Sequence, residues 1–320
     1  MSAVFALVLP FFGLIFIGFG VARITRQPVE ALGWMNTFIV YVALPALFIQ
    51  LVSKTPVEKL TEVTFVFGSV FSTYLMFSLV FVVSAIVSGG NIAEGTIRGL
   101  AGAYGNIGYM GPGLALLAFG EEAAVPVALI FSFENIMHFA IAPLMMALSG
   151  GERRPPHQLA LDVVKRIALH PFIIATAIGV AMAFAKVTLP GPVDRLMETL
   201  ARAAAPCALF AMGVTLALRP LKRVPREMAP LAAVKLVLHP LTAWIVLSWI
   251  GNFDPAWVWS AVLLASLPTA TNVFVIAQQY QVWVERASAS ILVTTVLSVL
   301  SVTGLLYLIK GGYLAADLFP

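Results

Sequence analysis

Ten stretches of mostly apolar sequence, each about as long as a bilayer is thick, follow one another along the whole chain with little between them. A spanning helix needs roughly 20 such residues to cross a hydrocarbon core of about 30 Å. The runs are roughly 3–22, 33–53, 65–88, 97–119, 125–148, 164–185, 198–218, 229–251, 256–280 and 287–309. In lipid every backbone N–H and C=O must be satisfied within the chain, so the runs are read as helices. The run at 198–218 has the least room, because only Ala203 to Leu218 lies between Arg202 and Arg219. The fold class expected is all-α integral membrane, with ten transmembrane helices.

Composition agrees. Of 320 residues, 60% are hydrophobic and 11% charged. A soluble domain carries about a quarter charged residues, so this surface must face lipid. The net charge of +4 does not call for nucleic acid, since lysine and arginine accumulate in cytoplasmic loops of membrane proteins. A single cysteine, Cys207, excludes an internal disulfide and a cysteine-based metal site. The opening "MSAVFALVLPFFGLIFIGFGVAR" has no basic residue ahead of its apolar run and no small-residue cleavage site, so it is expected to be a retained span. The expected location is the cell (inner) membrane, crossed many times.

Orientation follows from the basic residues. Arg23, Arg26, Arg98, Arg153, Arg154, Lys165, Arg166, Arg219, Lys222, Arg223, Arg226 and Arg286 fall in the loops after runs 1, 3, 5, 7 and 9. Lys235, at the start of the eighth run, is counted on the same side, which makes 13 of the 19. Lys54, Lys59, Lys186, Arg195, Arg202 and Lys310 lie opposite. The positive-inside rule then places both termini outside the cytoplasm.

Ten runs divide into five and five, and an odd number per half turns the second half upside down. "PFFGLIFIGFGVA" from Pro10 matches "PFIIATAIGVAMA" from Pro171, and "ALPALF" around Pro45 matches "APCALF" around Pro206. Both proline pairs are 161 residues apart. An inverted repeat is expected, with the first five-helix repeat over 1–150, a cytoplasmic linker over 151–162 and the second repeat over 163–320. Inverted repeats mark many secondary transporters.

Two runs carry breaks. "ASLPTATNVFV", Ala265 to Val275, holds a proline, two threonines and an asparagine inside an apolar stretch, and its counterpart is "YGNIGYMGPGL", Tyr104 to Leu114. Irregular backbone at membrane depth is tolerated only where protein or a water-filled cavity satisfies it, so two broken helices crossing near the midplane are expected. Gly105 would supply the first break and Asn106 an amide; Pro268 would open the second half-helix, with Thr269, Thr271 and Asn272 beside the freed donors. Two convergent half-helix N-termini would suit a carboxylate. A pair of structural kinks is the bland alternative.

These stretches resemble the auxin efflux carrier family, which includes plant auxin carriers and bacterial carboxylate permeases. "NTFIVYVALPALFIQLVS", "GNIGYMG" followed by "LALLAFG", "ALFAMGVTLALRP" and "ASLPTATNVFVIAQQY" are similar, in order, to the family's second, fourth, seventh and ninth spans. The resemblance implies two inverted five-helix repeats with broken crossover helices, like those of bile-acid symporters and NhaA-type antiporters. It also implies a scaffold that forms a homodimer, and an elevator motion of the remaining helices. Some relatives have proline where this chain has Gly105, and a "GIP"-like triplet stands here as Gly111–Pro112–Gly113, which leaves the position of the first break open. The third run has no charge from Val63 to Ala93, so a family mechanism using charge there does not carry over.

Glu134 in "FSFENIMHF" is an acid inside a span, a functional candidate by default. Its companions are Asn135 and His138, the latter one helical turn on. Glu134 is expected to carry a proton or touch substrate, against the alternative of a structural Glu–His pair. His170 and His239 are read as interfacial, and His157 as a loop residue. Trp244, Trp249, Trp257 and Trp259 are read as an aromatic belt, and Gly18, Gly20 and Gly179 as close helix contacts.

The expected function is a secondary transporter of small organic anions, proton-coupled or uniport, with no cofactor, no metal and no enzymatic activity. A sodium-coupled organic-anion symporter is the alternative. A channel and an intramembrane enzyme are further classes, the latter disfavoured by the absence of paired-aspartate, HExxH and GxSxG motifs.

Overall fold

The computed structural model describes residues 2–58, 62–150, 155–218 and 224–319. Lys59, Arg153, Arg154, Arg219, Lys222 and Arg223, counted above for orientation, and the start of the expected linker lie outside the described residues. In chain order the α-helices are α1 (Ser2–Thr25), α2 (Gly33–Phe38), α3 (Leu44–Ser53), α4 (Val63–Val87), α5 (Ile92–Ala103), α6 (Gly111–Phe119), α7 (Ala124–Leu148) and α8 (Pro156–Ala168). They continue with α9 (Pro171–Phe184), α10 (Gly191–Leu218), α11 (Met228–Ala233), α12 (His239–Ile250), α13 (Pro255–Ser266), α14 (Thr271–Tyr280) and α15 (Val284–Lys310). No strand occurs among the described residues apart from one isolated bridge, Gly105 with Thr269.

Among the described residues, seven helical segments are long and apolar enough to cross a membrane: Val8–Thr25, Glu30–Ser53, Val63–Val87, Glu121–Leu148, Gly191–Leu218, Met228–Ile250 and Val284–Lys310. They coincide with seven of the ten apolar runs. Of the other three, two are broken in mid-run and the third is the 14-residue α9. The run expected at 198–218 begins earlier, at Gly191, and takes in Arg202, whose guanidinium pairs with Glu198 one turn back at 2.6 Å. Residues 156–168, expected as linker and span start, form the separate amphipathic α8, which carries His157 on a helix rather than in a loop.

Prolines set several boundaries. At the first turn of α9 and α13, Pro171 and Pro255 lack only an N–H that would have no partner there. In an interior the ring strikes the preceding turn, and a helix can bend or locally widen to admit it. Two π-helical turns, Ile39–Ala43 and Val234–Leu238, lie just ahead of Pro45 and Pro240. The prolines that match at the 161-residue offset are used differently: Pro10 and Pro206 lie inside α1 and α10, whereas Pro171 starts α9 and Pro45 follows a π turn.

The chain forms two compact units, each assembled from both halves of the sequence. The first comprises Met1–Val63, Gly108–Ser132 and Ala168–Pro220. Within it α1 and α10 touch backbone to backbone: a Cβ on Gly18 would overlap the Phe210 carbonyl oxygen, and one on Gly213 that of Ile15. Gly179 lets α9 approach α3, where a Cβ would fall 2.8 Å from that of Val52. Phe48 stacks on Phe131 with centroids 4.6 Å apart, and Phe172 meets Phe131 edge-on at 5.1 Å. Gly20 meets nothing within 4 Å, contrary to its expected packing role.

The second unit comprises Thr64–Ile107, Phe133–Ile167 and Leu221–Pro320. Trp257 and Trp259, expected in an aromatic belt, are buried in it; Trp257 packs edge-on to Phe65 at 4.8 Å. Trp249 remains largely exposed, as a belt residue should. All the side chains expected to form the site belong to this unit.

Candidate functional site

The two helix breaks meet. α5 ends at Ala103, and Tyr104 turns the backbone to an extended conformation. α13 ends at Ser266, Leu267 and Ala270 are extended, and helix resumes at Thr271. Gly105 and Thr269 then pair as a one-residue antiparallel bridge. The Asn106 N–H donates to the Pro268 carbonyl at 2.8 Å and the Ala270 N–H to the Tyr104 carbonyl at 2.9 Å. Each break thereby satisfies backbone groups freed by the other, as a low-dielectric surrounding demands.

Side chains complete the crossing. Thr269 Oγ1 donates to the Ala101 carbonyl in the last turn of α5 at 2.7 Å, while its N–H donates to Thr294 Oγ1 on α15 at 3.0 Å. Lys235 Nζ donates to the Ala265 carbonyl at the end of α13 at 2.5 Å. Both α5 and α13 end here, so unpaired carbonyls and the negative ends of two helix dipoles come together. One cation beside them offsets that charge. Glycine eases the fit at 105, because a Cβ would lie a tight 3.0 Å from the Leu264 carbonyl oxygen and 3.4 Å from Lys235 Nζ.

A polar cluster continues from the crossing. Tyr104 stacks on His138 with ring centroids 3.8 Å apart and planes 16° from parallel. The Tyr104 hydroxyl donates to Asn135 Oδ1 at 2.6 Å and accepts from Asn272 Nδ2 at 2.9 Å. Asn272 on α14 is thereby tied to α7 through a single hydroxyl. Glu134 Oε1 accepts from Thr73 Oγ1 on α4 at 2.7 Å, and Thr73 lies 3.1 Å from His239 Nε2. His239 Nδ1 is 3.2 Å from Lys235 Nζ. Glu134, Thr73, His239, Lys235 and His138 are all buried.

The family described as "Membrane transport protein" matches residues 3–306. The chain belongs to this family, that of the auxin efflux carriers. It is also 62% identical over 320 residues, the full length of both chains, to a protein of Rhizobium meliloti (strain 1021) named "Putative malonate transporter". A protein of Methanothermobacter thermautotrophicus named "Uncharacterized transporter" is 27% identical over 203 residues, 63% of this chain and 64% of that one. With its seven long apolar helices, this family member is a multi-pass membrane protein.

Among the residues expected to form the site, Gly105, Asn106, Pro268 and Thr269 lie in the crossing itself, and Thr271 and Asn272 open α14 beside it. Pro268, expected to start the second half-helix, lies ahead of it; the residue before the helix is Ala270. The first break extends from Tyr104 to Met110, and Gly111–Pro112 begins the next helix, so glycine and proline divide the work between them. His138 does not pair with the Glu134 carboxylate. Its Nδ1 faces the Glu134 carbonyl at 2.5 Å, and the carboxylate turns to Thr73.

Four residues of the cluster escaped the sequence reading. Lys235, placed at the start of the eighth run and grouped with the cytoplasmic cations, is fully buried in the π turn of that run. His239, read as interfacial, is buried one turn on from it. Thr73 and Tyr104 carried no signal as individual residues. The usable signal was Lys235 with His239, a cation and an imidazole four apart on one face of an otherwise apolar run.

A cavity of about 860 Å³ in the first unit, lined in part by Phe11, Leu47, Gln50, Lys54, Glu198 and Arg202, includes none of the expected site residues. The chemistry is concentrated in the second unit, and that is where a substrate site is sought.

Proposed function

We propose that this protein is a secondary transporter of small carboxylates that binds its substrate at the crossing of the two broken helices. The observation that carries the reading is the paired break, where Asn106, Thr271 and Asn272 surround backbone that helix hydrogen bonding has released. The N–H groups of Thr271 and Asn272 open α14, with no helical turn ahead of them, and lie at the positive end of its dipole. With the amide of Asn272 beside them they suit a carboxylate. The name of the full-length relative points to malonate, a short dicarboxylate.

In this reading the architecture is ten spans in two inverted repeats, with α5–α6 and α13–α14 as the broken pair. The helices bearing the crossing carry the substrate by an elevator-type alternating access. Glu134 lies behind the binding residues and serves coupling to protons, while His138 stacks on Tyr104 beside it. The protein sits in the inner membrane as a homodimer with both termini outside the cytoplasm. Removing buried Lys235 from the loop count leaves the positive-inside bias in place.

The test uses proteoliposomes and labelled malonate, with other short dicarboxylates and an indole carboxylate for comparison. Uptake is followed under a pH gradient, a sodium gradient and neither. Accumulation driven by the pH gradient is expected. Asn106→Ala and Asn272→Ala should each weaken malonate binding by about 1–3 kcal/mol, roughly fivefold to 150-fold, while the protein still inserts and folds. Unchanged affinity in both variants would remove the crossing as the site. Sodium-driven accumulation would replace the proton with sodium as the coupling ion.

A further inference from the structure

The hydrogen bonds between Lys235 and Glu134 all point one way. Thr73 has one hydroxyl proton and gives it to Glu134 Oε1, so its contact with His239 Nε2 requires the imidazole to donate there. A neutral imidazole protonated at Nε2 has an acceptor at Nδ1, which is what the Lys235 ammonium faces. The chain Lys235 to His239 to Thr73 to Glu134 is therefore polarised from cation to anion, across the π turn, α12, α4 and α7. It is a route along which a proton can pass with no movement of heavy atoms.

We propose that Lys235 and Glu134 share a single proton when the crossing is empty and hold two when a carboxylate is bound. This rests on the carboxylate-carrier reading and names the groups that couple it to protons. In the empty state the proton passes from Lys235 Nζ to His239 Nδ1, from His239 Nε2 to Thr73 Oγ1, and from Thr73 Oγ1 to Glu134 Oε1. Three bonds to hydrogen break and three form. A buried zwitterion becomes a neutral amine and a neutral acid, each still hydrogen-bonded through the same atoms. A carboxylate at the crossing holds the proton on Lys235 by charge attraction, because Nζ lies over Gly105 and the end of α13. Glu134 is then a carboxylate with its counter-charge engaged elsewhere, and it takes a second proton from water. Loading one anion thus loads one proton.

The other groups around the chain fit this scheme without joining it. His138 Nδ1 must carry its proton, since it faces a carbonyl, and its Nε2 has no hydrogen-bond partner among the described residues. Tyr74 lies beside Glu134, and its hydroxyl likewise has no partner among them. Tyr104 is committed to Asn135 and Asn272.

The experiment measures proton uptake by the purified full-length protein, in weak buffer with an indicator dye, as malonate is added. About one proton per malonate bound is expected, and in Glu134→Gln the ratio should fall to zero whatever the affinity. Malonate binding without proton uptake, or unchanged uptake in Glu134→Gln, would overturn the shared proton and leave the carrier reading standing. A second arm needs no substrate: the infrared carboxyl band of Glu134, isolated by subtracting Glu134→Gln, should change in Thr73→Val and return in Thr73→Ser. An unchanged band in Thr73→Val would overturn the chain even if malonate does not bind. Absence of malonate binding with a responsive band would instead sink the substrate reading and keep the proton route.

Discussion

The two units of this protein use the same apolar alphabet to opposite ends. In the first, α1 and α10 meet through Gly18 and Gly213, and phenylalanines fill what remains. In the second, helices are interrupted, and the freed carbonyls and N–H groups are met by Thr269, Thr294 and Lys235. Lipid supplies no hydrophobic force between helices, so association depends on close van der Waals contact or on polar bonds. The α1–α10 contact of the first unit takes one solution and the crossing in the second takes the other. The division is not total: α5 also meets α4 closely through Gly99 and Gly102, and Gln50 bonds to Asp194 in the first unit. A dry glycine contact holds one geometry, because any shift separates backbones. A hydrogen-bonded chain has two protonation states with the same atoms, so it can respond to a ligand.

The comparison can be broken most forcefully at Lys235. Lys235→Met would leave the Ala265 carbonyl and His239 Nδ1 without their donor and would remove one of the two groups that share the buried proton with Glu134. Thermal unfolding in detergent should show a loss of about 3–5 kcal/mol, much of it recovered when Glu134→Gln is added. Full additivity of the two changes would mean that the groups do not communicate.

A smaller effect is expected in the first unit. Gly213→Ala must push α1 from α10 and should cost about 1–3 kcal/mol, whereas Gly20→Ala, with open space around it, should stay within about 0.5 kcal/mol. Equal melting temperatures for these two variants would refute the contrast between dry and polar packing. Between these lies Tyr104→Phe, which removes the hydroxyl joining Asn135 to Asn272. Malonate affinity should fall by about 1 kcal/mol, and a calorimetric titration showing no change would detach that tie from binding.

Much of the crossing was legible. "YGNIGYMGPGL" and "ASLPTATNVFV" put breakers and amides inside apolar runs, where the bilayer permits them only for a reason. Glu134 announced itself in the same way, as an acid with no place in lipid. Lys235 did not, because a cation near the start of a span looks like one that reaches back to the interface. Thr73 is invisible as one hydroxyl on a long apolar helix; only the approach of α4 to α7 gives it a partner 61 residues away.

Composition and the length of the apolar runs by themselves determined that the chain is helical and lives in a membrane, since a run of about 20 residues fits a spanning helix and is twice what a barrel strand needs. They also marked the two runs that break, but the limits of each break, Tyr104 to Met110 and Leu267 to Ala270, came from the structure. The tertiary structure decided that the breaks pair with each other, that Lys235 faces inward to cap α13, and that a one-way line of donors joins it to Glu134. Those outcomes depend on which faces of distant helices meet, and a sequence read one run at a time has no term for that.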